Sequence, residues 1–98
     1  MILEIATLDI KPNKNIAFEE AFRKAQIIIS NMEGYISHQL QQSIENPNRY
    51  TLLVNWETLE DHTIGFRESA EYQEWRALLH HFYEPYPHVE HFEMITLS

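Results

Sequence analysis

The pattern of apolar and polar positions divides the chain into seven predicted elements. Short β-branched runs indicate strands, and apolar residues that recur every three or four positions indicate helices. The clearest helical stripe contains Phe18, Phe22, Ala25 and Ile29. The predicted strands cover residues 2–10, 35–45, 49–57 and 88–97, and the predicted helices cover residues 15–30, 59–66 and 70–83.

Capping and turn residues mark the boundaries of these elements. Asn15 is the expected N-cap of the first helix, and Thr58 with Asp61 has the spacing of a capping box. Gly34 offers a stop for the first helix. The segment 46–48, Asn-Pro-Asn, is a turn signal between two extended runs and predicts a hairpin.

The order β-α-β-β-α-β is typical of an α+β ferredoxin-like fold. In this fold a four-stranded antiparallel sheet carries both helices on one face. Strand 49–57 is apolar at the consecutive positions Leu52, Leu53 and Val54. Both faces of the sheet are therefore expected to be buried. The helices bury one face, and we expect a homodimer formed by sheet-to-sheet packing to bury the other. A chain of 98 residues is expected to form a single domain, residues 1–98.

Composition excludes several classes of protein. With 15 acidic against 7 basic residues and a formal charge of −8, the chain lacks the basic patch that nucleic-acid binding or a membrane-surface helix requires. Cysteine is absent, which excludes disulfides, thiolate metal sites and cysteine nucleophiles. No apolar run reaches the roughly 20 residues of a membrane span, and the start lacks a signal peptide. We therefore expect no membrane partner and a cytoplasmic location.

Several short motifs follow one another in a fixed order along nearly the whole chain. The motifs are Glu33-Gly34-Tyr35, Asn46-Pro47-Asn48-Arg49-Tyr50, Leu52-Leu53-Val54-Asn55-Trp56-Glu57, Glu60-Asp61-His62, Phe66-Arg67-Glu68-Ser69, Tyr72, Trp75-Arg76 and the closing Pro87, Val89, Glu90, His91 and Phe92. Their order and spacing resemble the antibiotic biosynthesis monooxygenase (ABM) domain family, whose members form dimeric α+β barrels.

The resemblance implies a ligand pocket between sheet and helices that takes a small aromatic molecule. Some members of the family oxidise aromatic polyketides or quinols with dioxygen and no cofactor, and others degrade haem. Haem degradation is disfavoured because strand 2–10 lacks the Asn that those relatives use. His80 and His81 are also expected to face solvent, on the side of their helix away from Trp75.

Four residues are candidates for polar or stacking contacts with a substrate. His62 matches a His of the family and is the candidate catalytic base, or it orients its short helix. Trp56 matches the family's Trp and could stack on the substrate or pack in the core. Asn55 lies on the opposite strand face, where it could bind ligand or face the dimer interface. Arg67 could hold an anionic group or form a surface ion pair.

Aromatic residues complete the predicted substrate-binding set. Phe66, Tyr72 and Trp75 could line the pocket, although aromatic stripes at helical spacing also occur in ordinary cores. Six His without Cys form no metal-binding motif, and His88 and His91 point to opposite strand faces. We therefore predict neither a metal nor a cofactor.

Three functions remain compatible with the sequence. The first is a cofactor-independent monooxygenase that acts on a small aromatic such as a quinol or anthrone. The second is a ligand-binding or stress-response protein with the same fold and no catalysis. The third is an isomerase or lactone-type enzyme, which needs an acid–base pair such as His62 with a carboxylate.

Overall fold

The computed structural model of the protein describes residues 1–97. The predicted domain also includes Ser98, which lies outside the described residues. The predicted order of strands and helices is confirmed. The elements are β1 (Ile2–Asp9), α1 (Asn15–Ser30), β2 (Tyr35–Gln42), β3 (Arg49–Trp56), a π-helix (Asp61–Phe66), α2 (Ala70–Leu79), a 3₁₀ turn (His80–Phe82) and β4 (His88–Glu93).

The four strands form one antiparallel sheet in the order β2-β3-β1-β4. Residues on β1 alternate between its two faces, so that Glu4, Ala6 and Leu8 are buried towards the helices. Leu3 and Ile5 point to the other face and remain partly exposed. The α+β ferredoxin-like fold predicted from the sequence is confirmed, and one face of the sheet is left without helices.

The predicted stripe on α1 is buried as expected. Phe18, Phe22, Ala25 and Ile29 are each at most 5% exposed and pack on the sheet. Burial of a large apolar side chain contributes about 1.5–3 kcal/mol, so this stripe is a main source of the stability of α1.

Two strands end earlier than the sequence pattern predicts. β2 stops at Gln42 rather than 45, because Ser43 Oγ accepts a hydrogen bond from Asn46 N (3.0 Å) and turns the chain. β4 stops at Glu93 rather than 97, because Glu93 already pairs with Ile2 at the start of β1. No β1 residue remains to pair with the rest of the predicted strand.

The helical predictions also need correction. The predicted helix 70–83 ends at Leu79 and continues as a 3₁₀ turn, and the helix 59–66 is mainly a π-helix. Asn15 is not an N-cap, since its side-chain amide instead donates to the Pro47 carbonyl (2.9 Å).

The predicted capping box at the start of the π-helix is confirmed. Thr58 Oγ1 accepts from Asp61 N, and Asp61 Oδ2 accepts from Thr58 N, each at 3.2 Å. Gly34 does not stop α1, which ends at Ser30; it instead has a φ of 81° beside Asp61. A Cβ at Gly34 would meet Asp61 Oδ2 at 2.0 Å, so only glycine allows this contact.

Candidate functional site

A half-open cavity of about 210 Å³ lies between the sheet and the helices. Its floor is the apolar middle of the sheet, and its walls are mainly aromatic. A dry apolar cavity of about 150 Å³ accepts benzene, so this one has room for a single substituted ring. The lining residues are Glu4, Ala6, Leu8, Ile29, Leu52, His62, Phe66, Arg67, Tyr72, Trp75, His80, Tyr83, Tyr86, Pro87 and Val89.

One end of the cavity is formed by a buried carboxylate and a buried imidazole. Glu4 on β1 is 5% exposed, and His62 on the π-helix is 3% exposed. Trp56 Nε1 donates a hydrogen bond to Glu4 Oε1 (3.0 Å), and His62 Nε2 lies 3.4 Å from the same oxygen. These contacts fix one oxygen of the Glu4 carboxylate.

The other Glu4 oxygen, Oε2, accepts no hydrogen bond from residues 1–97. Every fully buried side-chain oxygen or nitrogen in this part of the chain has a hydrogen-bond partner, so Oε2 is not fully enclosed by protein. Because Glu4 lines the cavity, Oε2 is available to a molecule bound there. A carboxylate with one oxygen held and one free is suited to accept a proton from a bound molecule.

A second imidazole extends this cluster towards the edge of the sheet. His62 Nδ1 lies 2.8 Å from Nε2 of His91, which is on the edge strand β4. Because an N–H at Nε2 of His62 best satisfies the Glu4 carboxylate, we assign the proton of His62 to Nε2. His62 Nδ1 then accepts a hydrogen bond from His91 Nε2.

Burial shifts the pKa values of both groups. Burial raises the pKa of Glu4, while the Trp56 hydrogen bond and the nearby Arg67 charge partly oppose this rise. Burial, together with the Arg67 and His91 charges, lowers the pKa of His62 to about 3. The His62 imidazole is thus neutral at pH 7 and a weak base, whereas Glu4 is a stronger base than an ordinary carboxylate.

The depressed pKa of His62 predicts how stability depends on pH. The unfolded chain binds a proton at His62 below about pH 6.5, whereas the folded chain binds it only near pH 3. The free energy of unfolding should therefore fall as the pH drops from 6.5 to 4, by up to about 1.4 kcal/mol per pH unit from this group. His62→Gln removes this contribution, so its urea-unfolding free energy should fall less steeply over that range.

The matched control for this prediction is His88→Gln, because His88 is exposed on β4 and contacts Glu90 rather than the cavity. This variant should keep the pH dependence of the unmodified protein. Equal pH slopes for His62→Gln and the unmodified protein would show that His62 is not held neutral by burial.

The remaining polar groups lie along the walls of the cavity. The Tyr72 hydroxyl is 3.5 Å from Nε2 of His80. Burial raises the pKa of Tyr83, and the charges of Tyr72 and Glu4 add to this rise, so the Tyr83 hydroxyl stays protonated. Tyr83 is therefore available as a hydrogen-bond donor near Glu4.

The prediction that His80 faces solvent is wrong. His80 is half-buried and lines the cavity beside Tyr72. The reason is that α2 ends at Leu79, and the tighter 3₁₀ turn that follows changes the direction of the next side chains. His81 is exposed, as expected.

Five of the predicted site residues meet at the cavity, and two do not. His62, Phe66, Arg67, Tyr72 and Trp75 line it. Trp56 is fully buried behind His62, with ring centroids 5.4 Å apart and planes inclined by 21°. Asn55 lies on the open face of the sheet, where its amide donates to Ser37 Oγ (3.0 Å).

Sequence reasoning did not identify Glu4 or His91 as site residues. Glu4 did carry a signal, since it is an acid at an inward position of an otherwise apolar alternating strand. His91 belongs to the closing family motif, but its contact with His62 depends on the register of β4 and could not be read from the sequence.

Residues 1–97 contain neither a metal-ligand cluster nor a membrane-spanning helix. No group of three or more His, Cys, Asp or Glu side chains in this part of the chain is placed to hold a metal ion. No helix within it is long and apolar enough to cross a membrane.

Comparison with known proteins identifies the family to which this chain belongs. The family model described as antibiotic biosynthesis monooxygenase matches residues 1–78. YczJ of Bacillus subtilis strain 168, described as uncharacterized, is 59% identical over 93 residues, which cover 95% of this chain and 98% of YczJ. The chain belongs to the antibiotic biosynthesis monooxygenase family, and the predicted resemblance is confirmed.

Solved structures agree with this assignment. A Bordetella bronchiseptica protein, provisionally classed as an antibiotic biosynthesis monooxygenase, is 37% identical with a TM-score of 0.92, and the match covers 97% of both chains. SnoaB, a cofactor-independent oxygenase from Streptomyces nogalater, is 13% identical with a TM-score of 0.81, covering 98% of this chain and 94% of SnoaB. The similarity to SnoaB shows a common fold.

Proposed function

We propose that this protein is a cofactor-independent monooxygenase that acts on a small phenol or quinol. The observation that carries this proposal is the free Oε2 of buried Glu4 at the end of an aromatic-walled cavity. Family membership and the fold in common with a cofactor-independent oxygenase support it.

The proposed reaction requires a base, an apolar slot and stabilisation of an oxyanion. A phenol or quinol with a hydrogen on a ring carbon ortho or para to its hydroxyl loses its O–H proton, and the resulting phenolate transfers an electron to dioxygen. One oxygen atom ends in the quinone product, and the other leaves as water with the two hydrogens that the substrate has lost. No metal or flavin is needed for this balance, because the ionised substrate is itself the reductant.

Separate residues serve each requirement. Glu4 accepts the phenolic proton, with Trp56 and His62 holding its other oxygen. Arg67 and Tyr83 line the same cavity and stabilise the phenolate by charge and hydrogen bonding. We thus transfer the role of base from His62 to Glu4, because both nitrogens of His62 face partners and its pKa is about 3.

The cavity volume favours a single-ring substrate. About 210 Å³ exceeds the benzene-sized cavity by the space of a few substituent atoms. A three-ring anthrone would need the walls to move apart. Among the predicted substrates, we therefore favour the quinol.

Oxygen uptake by chelator-treated protein tests the proposal. Single-ring quinols, naphthols and anthrones are supplied in turn, and dioxygen consumption is followed with an electrode. We expect protein-dependent uptake that is fastest with the single-ring compounds. Uptake with none of them would contradict the oxygenase function, and a preference for anthrones would contradict the size argument.

Arg67→Gln should weaken ionisation of a bound phenol. Arg67 lies near enough to lower the pKa of both Glu4 and His62, so it should also lower that of a phenol bound beside them. Because Arg67 is exposed, we expect a rise of about half to one unit in the pKa of bound 4-nitrophenol. Its absorbance reports the ionised fraction directly.

Arg23→Gln is the matched control, since Arg23 is an exposed cation on α1 and does not line this cavity. It should leave the ionisation of bound 4-nitrophenol unchanged. If Arg67→Gln gave the same ionised fraction as the unmodified protein, Arg67 would have no part in holding the phenolate.

We also propose that the protein is a cytoplasmic homodimer joined through the open face of the sheet. Leu3, Ile5, Leu53 and Phe92 form an apolar patch on this face. Sheet-to-sheet packing against a second copy would remove this patch from water.

An isomerase is the second candidate function, and the protonated Tyr83 hydroxyl in the same cavity as Glu4 favours it. An isomerase moves a proton between two substrate atoms and needs such a paired acid and base. Its turnover would continue without dioxygen, which distinguishes it from the oxygenase.

A further inference from the structure

We propose that Tyr72 and His80 bind a second hydroxyl of the substrate, so that the preferred ligand is a ring with two hydroxyls para to one another. This inference rests on the proposed function in taking a phenol as the ligand, with its first hydroxyl at Glu4. It gives a role in specificity to two cavity residues that the proposed reaction does not use.

Tyr72 and His80 place two polar atoms side by side on the wall of the cavity. Both side chains are partly buried and line it. The Tyr72 hydroxyl is 3.5 Å from Nε2 of His80, which is longer than the roughly 2.7–3.2 Å of a good hydrogen bond between nitrogen and oxygen. The two atoms therefore satisfy each other poorly, and both can bond to a group that enters the cavity.

Packing holds the two side chains in place before any ligand binds. At the start of α2, Ser69 Oγ accepts a hydrogen bond from Tyr72 N (3.0 Å). The Tyr72 ring meets the Phe66 ring edge-on, with centroids 5.2 Å apart. The His80 ring lies edge-on to Tyr72 at 6.0 Å and is 5.5 Å from the Tyr83 ring. Groups that are positioned in this way lose little freedom when a ligand binds.

The pair lies on a different part of the cavity wall from Glu4. Glu4 contacts His62, and the Phe66 ring follows His62 along the wall, with centroids 6.4 Å apart. Phe66 in turn contacts Tyr72, so its ring stands between the Glu4 end and the pair. A ring substrate therefore meets polar groups at two separate places. Para hydroxyls, which are on opposite sides of a ring, suit this arrangement.

The chemistry of the pair matches a hydroxyl better than other small substituents. Burial and the Arg76 charge lower the pKa of His80, so its imidazole is neutral at pH 7 and has one N–H and one lone pair. The Tyr72 hydroxyl both donates and accepts. A substrate hydroxyl can therefore donate to one member of the pair and accept from the other. A methoxy group only accepts, and a methyl group does neither.

Calorimetric titration under nitrogen tests the proposal without turnover. The ligands are hydroquinone, 4-methoxyphenol and 4-methylphenol, which differ only in the group para to the first hydroxyl. Tyr72→Phe keeps the ring on Phe66 and removes the hydroxyl. We expect the ratio of the dissociation constants of 4-methylphenol and hydroquinone to fall about tenfold in this variant, the value of one hydrogen bond. His80→Leu should lower the same ratio, and 4-methoxyphenol should give an intermediate change.

Tyr35→Phe is the matched control. Tyr35 is also partly buried, and its hydroxyl also contacts an imidazole, that of His38, but it does not line this cavity. Its ratio of dissociation constants should equal that of the unmodified protein. The proposal would be overturned by an unchanged ratio in both Tyr72→Phe and His80→Leu, or by a failure of hydroquinone to bind the unmodified protein.

Oxygen uptake separates this inference from the proposed function. If the ratio shifts as expected but the unmodified protein oxidises no quinol, the second hydroxyl site stands and the monooxygenase function fails. If the unmodified protein oxidises quinols but the ratio does not change in either variant, the monooxygenase function stands and the second hydroxyl site fails.

Discussion

Glu4→Gln should lower oxygen-dependent turnover by roughly 10²–10⁴-fold, the range expected for loss of a general base. The variant retains the size of the side chain and an oxygen that can accept from Trp56 Nε1. It removes only the ability to take the substrate proton. Steady-state oxygen uptake with a single-ring quinol measures the change, and the loss should appear in kcat rather than in KM.

The control is Glu20→Gln, an exposed glutamate on α1 that does not line the cavity. It should retain full turnover. Circular dichroism and urea unfolding should show that Glu4→Gln is folded, because a neutral amide is cheaper to bury than a carboxylate. Turnover of folded Glu4→Gln within a few-fold of the unmodified protein would remove Glu4 from the mechanism.

Leu53→Asp should convert the proposed dimer to a monomer. Leu53 lies in the middle of the open sheet face, opposite Ile5 on β1 and Gln39 on β2. A carboxylate there would be buried without a partner in each subunit, which costs about 3 kcal/mol or more. The dissociation constant of the dimer should rise by about 100-fold or more, as measured by analytical ultracentrifugation.

Ile16→Asp provides the matched control, because Ile16 is 81% exposed on α1, on the helical side of the sheet. This variant carries the same change from an apolar to an acidic side chain and should sediment as the unmodified protein does. A monomeric unmodified protein, or a dimer that withstands Leu53→Asp, would contradict packing through the open face.

The fold could be predicted from the sequence because each element carried a local signal. The stripe from Phe18 to Ile29 and the capping box at Thr58 and Asp61 both form as predicted. The ends of β2 and β4 could not be predicted, since they depend on a hydrogen bond of Ser43 and on where the partner β1 begins. Strand length is thus partly a property of the neighbouring strand.

The candidate site was only partly predictable for a related reason. The family motifs pointed to His62, Arg67 and the aromatic walls, which do line one cavity. The chemistry of His62 depends on Glu4 and His91, which are 58 and 29 residues away along the chain and meet it only through the sheet register. The expectation that His62 is the base is then reversed. Burial raises the pKa of the Glu4 carboxylate and lowers the pKa of the His62 imidazole, so Glu4 is the stronger base of the two.

The most direct test of the central claim is the product formed from a single-ring quinol under ¹⁸O₂ with chelator-treated protein. The proposed mechanism requires one heavy oxygen atom in the organic product and one in water, with product formation slowed by roughly 10²–10⁴-fold in Glu4→Gln. A product without heavy oxygen, or one formed equally well under nitrogen, would contradict the monooxygenase function.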